Sequence, residues 1–139
     1  MKLHLFYIGK QRDSNANALA SEYMRRSERF IHCEMREIQP NRYELSAKHP
    51  TASKILLDPA GKVYDSEKFS KLIGKAEDEA RDLVFVVGGA DGLPAGWRER
   101  ADVLLSLSAM TFPHELARVM LAEQIYRALT MLRGHPYPR

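Results

Sequence analysis

The residues best suited to chemistry fall in the second half of the chain. Residues 88–92, GGADG, follow the uninterrupted apolar run Leu83–Val87. Glycine at such a point permits positive φ and lets a ligand approach the backbone closely, although a plain turn has the same composition. The segment is not a GxGxxG dinucleotide fingerprint, and no Gly-Lys-Ser/Thr follows it, which argues against an NTPase. Ser106, Ser108 and Thr111 cluster a little further on. No GxSxG elbow surrounds them and His114 has no evident acidic partner, so they read as loop hydrogen-bonding groups rather than nucleophiles. His114 and Arg118 are four apart and share a face just inside a helix start, either as an idle surface pair or as groups facing a ligand. Glu123 and Arg127 have the same spacing and read as a helix-surface ion pair. The histidines at 4, 32, 49, 114 and 135 lack paired metal-ligand spacing, so no metal is expected. A single cysteine, Cys33, excludes an internal disulfide and a cysteine zinc cluster; its alternation with Ile31 and Met35 reads as core. The end of the chain, GHPYPR, sets Tyr137 and Arg139 among prolines. A frayed terminus is the default, but such a tail could also order over a base or a phosphate.

These groups need a scaffold, and the pattern supplies one. Residues 3–8, 30–38, 54–57 and 104–108 and the run Leu83–Val87 read as strands, the last of them buried on both faces. Residues 18–29 and 66–81 read as helices, capped by Asp13 or Ser14 and by Asp65 or Ser66. Residues 94–101 read as a short helix, and 39–53 as a connection with one helical turn. His114–Arg133 is a long helix stopped by Gly134. Thr111 or Phe112 is expected at its cap and Pro113 in its first turn. Its apolar residues cover a wide arc, as in a central helix or half of a dimer interface. Strands alternating with helices predict an α/β fold with a mainly parallel sheet and ligands beyond the carboxyl ends of the strands. The loops at 58–61, 88–92 and 109–113 occupy that position.

At 139 residues the chain reads as one domain, residues 1–139. Net charge is +3. Residues 1–58 carry ten Lys/Arg against seven Asp/Glu, 59–102 seven against nine, and 103–139 four against two. The basic excess therefore sits at both ends, compatible with nucleic acid without demanding it. No segment has the length of a membrane span or of a signal-peptide core, and a cytoplasmic protein is expected.

Taken together, SLSAMTFPHELARVMLAEQIYRA, the preceding VFVVGGADGL and LLDPAGKVYDSEKF, the N-terminal KLHLFYIGK, EYMRR and the final HPYPR resemble the RlmH family. These are 23S rRNA pseudouridine N3-methyltransferases of the SPOUT class, and the resemblance covers nearly the whole chain in order. It implies a SPOUT-type sheet with helices on both faces and a C-terminal trefoil knot. It also implies a homodimer joined through the last helix, and methyl transfer from S-adenosylmethionine to a pseudouridine on the assembled ribosome. By motif match the cofactor contacts are Leu57, Gly88, Leu107, Ser108, Ala109, Met110, Thr111 and Phe112. His114, Arg118, Tyr137 and Arg139 are the candidates for the target base, with no residue assigned as catalytic base. Two departures stand out: Pro138 follows Tyr137 where the family commonly has His, and the 39–53 connection is short. The Pro138 departure keeps in view a catalytically silent RNA- or ribosome-binding module; the modest net charge also fits a methyltransferase of another RNA such as tRNA.

Overall fold

The computed structural model describes residues 1–137. Pro138 and Arg139, the latter a candidate for the target base, lie outside the described residues. Five strands form one sheet in the order β2-β1-β4-β3-β5, with every ladder parallel. They are β1 (Lys2–Ile8), β2 (His32–Ile38), β3 (Ser53–Val63), β4 (Leu83–Val87) and β5 (Val103–Ser106).

Strand periodicity divides the apolar residues between two faces. Leu3, Leu5, Ile55, Leu83, Phe85 and Val87 join one core cluster, whereas Phe6, Leu56, Val84 and Val86 join another. Every residue of β4 is buried, as its unbroken apolar run requires of a central parallel strand. The first face carries three long helices: α1 (Ser14–Ser27), α3 (Ser66–Asp78) and α4 (His114–Arg133). Helix α4 packs on both α1 and α3, which explains its wide apolar arc. Leu121, Ala122, Ile125, Ala128 and Leu129 are all at or below 1% exposure. Among the described residues the opposite face carries only the four-residue α2 (Leu45–Lys48), 3-10 turns at Pro40–Arg42 and Arg98–Arg100, and the indole of Trp97. The connection after β2 has no room for more, so helices cover both faces unequally.

Local signals set the element ends. The carboxylates of Asp13 and Asp65 accept backbone N–H bonds at the starts of α1 and α3. Gly134 takes φ 68° and closes α4 with bonds from its own N–H and that of His135. Several expectations shift: α1 begins at Ser14 rather than at 18 and ends at Ser27, and β5 ends at Ser106 rather than at 108. Helix α3 ends at Asp78 rather than at 81, because Ala80 adopts φ 52° and turns the chain into β4. Only residues 98–100 of the 94–101 stretch are helical, and as a 3-10 turn. Pro113 itself is the cap residue of α4, in extended conformation and with no side-chain cap bond.

Candidate active site

The carboxyl ends of β3, β4 and β5 open onto a cavity of about 510 Å³, within the usual range for small-molecule and cofactor sites. Three loops line it. The first comes from an irregularity inside β3: Leu57 and Lys62 both pair with Leu105, so residues 58–61 bulge out between them. The strand thus continues past the turn expected at 58–61. Gly61 sits against the β5 backbone, where a Cβ would lie 2.7 Å from the Leu104 carbonyl carbon. At the mouth of this bulge Asp58 is 4% exposed and accepts from the Ala60 N–H and the Arg98 guanidinium. A buried carboxylate needs such partners.

The second loop follows β4. Gly92 has the positive φ, 78°, that the composition suggested, but Gly88 does not. Gly88 is glycine for lack of room: a Cβ there would stand 2.6 Å from the Gly92 carbonyl carbon. The loop is folded onto itself, with the Gly92 N–H donating to the Gly89 carbonyl at 2.9 Å. The third loop joins β5 to α4. Ser106 Oγ donates to the Ser108 carbonyl at 2.8 Å, and the Met110 N–H donates to Ser108 Oγ at 3.0 Å. The serines therefore shape the loop rather than attack a substrate.

The cavity lining is largely apolar: Leu57, Val87, Leu93, Leu105, Leu107, Met110, Phe112 and Ala117. Polar character comes from loop backbone, Ser108, Thr111, Arg98 and Asp58, and His114 stands at the start of α4. Such walls can grip a flat aromatic group while backbone groups read its edge. Among the described residues no cluster of three or more His, Cys, Asp or Glu could hold a metal ion.

A family profile described as "Predicted SPOUT methyltransferase" matches residues 1–138. A protein of Solibacter usitatus named ribosomal RNA large subunit methyltransferase H is 62% identical over 139 residues, covering 100% of both chains. The chain belongs to the RlmH family of SPOUT methyltransferases. A relative of the same name from Chromobacterium violaceum is 39% identical over 155 residues, 100% of this chain and 99% of that one. Solved structures agree on the fold. A probable methylase family protein from Haemophilus influenzae Rd KW20 superposes with a TM-score of 0.65 at 8% identity, over 99% of this chain and 70% of that one. The SpoU methyltransferase AviRb from Streptomyces viridochromogenes, in complex with the cofactor AdoMet, gives 0.50 at 13% identity, over 91% of this chain and 59% of AviRb.

The cofactor residues implied by the RlmH resemblance converge. Leu57, Gly88, Leu107, Ser108, Met110, Thr111 and Phe112 all line the cavity; Ala109, between two of them, is exposed and does not. The substrate candidates do not stay together. His114 lines the cavity, but Arg118 is 2% exposed and turned inward. Its guanidinium lies 3.8 Å from the Tyr7 ring centroid and donates to Asn17 Oδ1 at 2.8 Å. The expected shared face is broken because α1 and β1 offer Arg118 a stacking surface and an acceptor. Tyr137 lies further off still. Its hydroxyl donates to Glu123 at 2.7 Å and its ring meets Tyr126 edge-on. Burial and the Glu123 carboxylate raise the Tyr137 phenol pKa above its ordinary value. Glu123 is nine residues beyond His114, about 14 Å along the helix at ~1.5 Å per residue. Glu123 and Arg127 form the expected ion pair at 2.7 Å.

The sequence reading placed Asp58 in a ligand-side loop without giving it a partner, and it missed Arg98 and Leu93 as cavity residues. Asp58 and Arg98 are forty positions apart, and no local pattern links them.

Proposed function

We propose that this chain transfers the methyl group of S-adenosylmethionine to N3 of a pseudouridine in 23S rRNA on the assembled ribosome. The observation that carries the reading is the three-loop cavity, in which seven of the eight residues matched to the family's cofactor contacts converge. The cofactor supplies an activated methyl group on sulfonium; the chain supplies placement. Leu57, Leu107 and Phe112 would hold the adenine, and the backbone at Gly88 and residues 107–112 would read its polar edge. His114, at the α4 end of the cavity, would meet the target base. Holding the two reactants in line accounts for most of the protein's catalytic task.

The reading extends to a cytoplasmic homodimer carrying the family's knot. Leu116, Met120 and Met131 of α4 are 50%, 44% and 43% exposed on one side of the helix, with the Glu123–Arg127 pair between them, a face that a second copy would cover. In such a pair Tyr137, remote from its own cavity, would serve the partner's. Pro138 after Tyr137 then means that the family's usual histidine is not needed at that place.

The test is transfer of labelled methyl to intact ribosomes lacking the modification, with the labelled nucleotide mapped. Label on N3 of a large-subunit pseudouridine is the expected result. Retained cofactor binding with no label on ribosomes, free rRNA or tRNA would replace the enzyme by a silent binding module.

A further inference from the structure

We propose that residues 9–13 form a phosphate-binding rim to the cavity, on which Lys10 and Arg12 hold the RNA backbone beside the target nucleotide. The proposal rests on the rRNA-methyltransferase reading and names residues that the family match did not assign.

Strand β1 ends at Ile8, and Gly9 turns the chain at φ 91°. The Ile8 carbonyl lies against Gly89 of the cavity wall, 2.9 Å from where a Cβ would be. At the other end the N–H groups of Arg12 and Asp13 donate to the Glu115 carboxylate, one residue beyond His114. The segment therefore spans from the glycine loop to the start of α4, past the group that would meet the base.

Its side chains and its backbone have different tasks. Asp13 accepts from the N–H groups of Asn15 and Ala16, so its carboxylate is engaged in capping α1. Glu115 is engaged by the two N–H groups of the segment. Both nearby acids thus serve backbone donors. Lys10, Gln11 and Arg12 remain exposed, and among the described residues neither Lys10 nor Arg12 makes an ion pair. By contrast Arg98, on the β3 side of the cavity, is paired with Asp58. Two free cations on a backbone fixed at both ends suit a polyanion that must be held in register, and contacts to phosphate do that without reading sequence.

The experiment compares the full chain with the K10A/R12A variant on large ribosomal subunits lacking the modification. Subunit binding is followed against salt, and methyl transfer is followed separately. The variant should bind subunits at least about tenfold more weakly, and its log–log salt slope should be shallower by about 1.4–1.8, two phosphates' worth. S-adenosylmethionine affinity and melting temperature should match the unaltered chain, and K10R/R12K should restore subunit binding. An unchanged affinity and slope overturns the rim. So does loss of cofactor affinity or of melting temperature in K10A/R12A, which would make the two residues part of the scaffold. Absence of transfer by the unaltered chain would count against the rRNA reaction, and the binding slope would still decide the rim.

Discussion

Gly88 shows how one missing side chain can hold a site open. Any Cβ there meets the Gly92 backbone, so even alanine must spread the loop that carries the cavity wall. Gly88→Ala should cost about 1–3 kcal/mol in stability, the usual range for overpacking, and lower S-adenosylmethionine affinity by about tenfold or more. Calorimetry and urea denaturation read the two effects; unchanged affinity would remove the loop from the cofactor site. Arg118 asks a different question. It is a buried cation held by Asn17 and Tyr7, with no carboxylate within ion-pair distance among the described residues. Arg118→Met keeps most of the volume and leaves Asn17 without its donor, a loss of about 1–3 kcal/mol. Cofactor binding should persist. A fall in transfer beyond what the stability loss explains would give the buried charge a role toward the base; wild-type transfer would confine it to packing. Tyr137 makes a prediction in pH. Its phenol, raised by burial and by Glu123, stays protonated beyond the ordinary tyrosine range near ~10. The pH–rate profile should therefore lack a limb from Tyr137, and Tyr137→Phe should leave its shape unchanged. A limb near the ordinary tyrosine value that vanished in Tyr137→Phe would show a free phenol instead.

At the scale of elements, the join between residues 9–13 and α4 depends on one ionised carboxylate. The Arg12 N–H and then the Asp13 N–H hold the Glu115 pKa below its ordinary value. A depressed carboxylate contributes stability above its unfolded pKa, near ~4.3, and loses that contribution as pH falls through the folded value. Glu115→Gln should be less stable than the native chain at pH 7, and the two should converge as pH falls through the folded value, below which both side chains are neutral. Equal stability at pH 7 would mean that the join is idle. This join was not legible in the sequence, and the reason is physical. Periodicity and caps are local, so β4, α4, Asp13, Asp65 and Gly134 could all be read from neighbouring residues. Glu115 meets partners more than a hundred positions away, and its place in the first turn suggested only a helix-dipole role. The bulge at 58–61 was likewise hidden, since a turn and a register jump share the same Pro-Ala-Gly composition. The cavity residues were legible through the family's motifs. Arg118 left the face it shares with His114 because i,i+4 spacing does not reveal the acceptor and ring that draw a side chain away from it. Tyr137 was named from the tail and the family's motif, not from spacing, and within its own chain it docks on Glu123 and Tyr126.

For the molecule as a whole, the outward row of α4 decides whether the chain works alone. Leu116, Met120 and Met131 span about 23 Å of helix at ~1.5 Å per residue, long enough to seed an interface of the usual size, ~800 Å² per partner. Three loops of this chain line the cavity, so under the homodimer reading cofactor binding should survive separation of the copies. Transfer should not survive it, because Tyr137 is docked on Glu123 and Tyr126, well along α4 from its own cavity. Leu116→Glu with Met120→Glu places two like charges in the row and should yield a monomer by sedimentation. That monomer should bind S-adenosylmethionine with near-native affinity and transfer methyl at least about a hundredfold more slowly, the scale on which misplaced positioning groups act. A sedimenting dimer in the variant would move the interface to another face. A monomer with full transfer would keep the stripe as the interface and remove the partner's tail from the reaction.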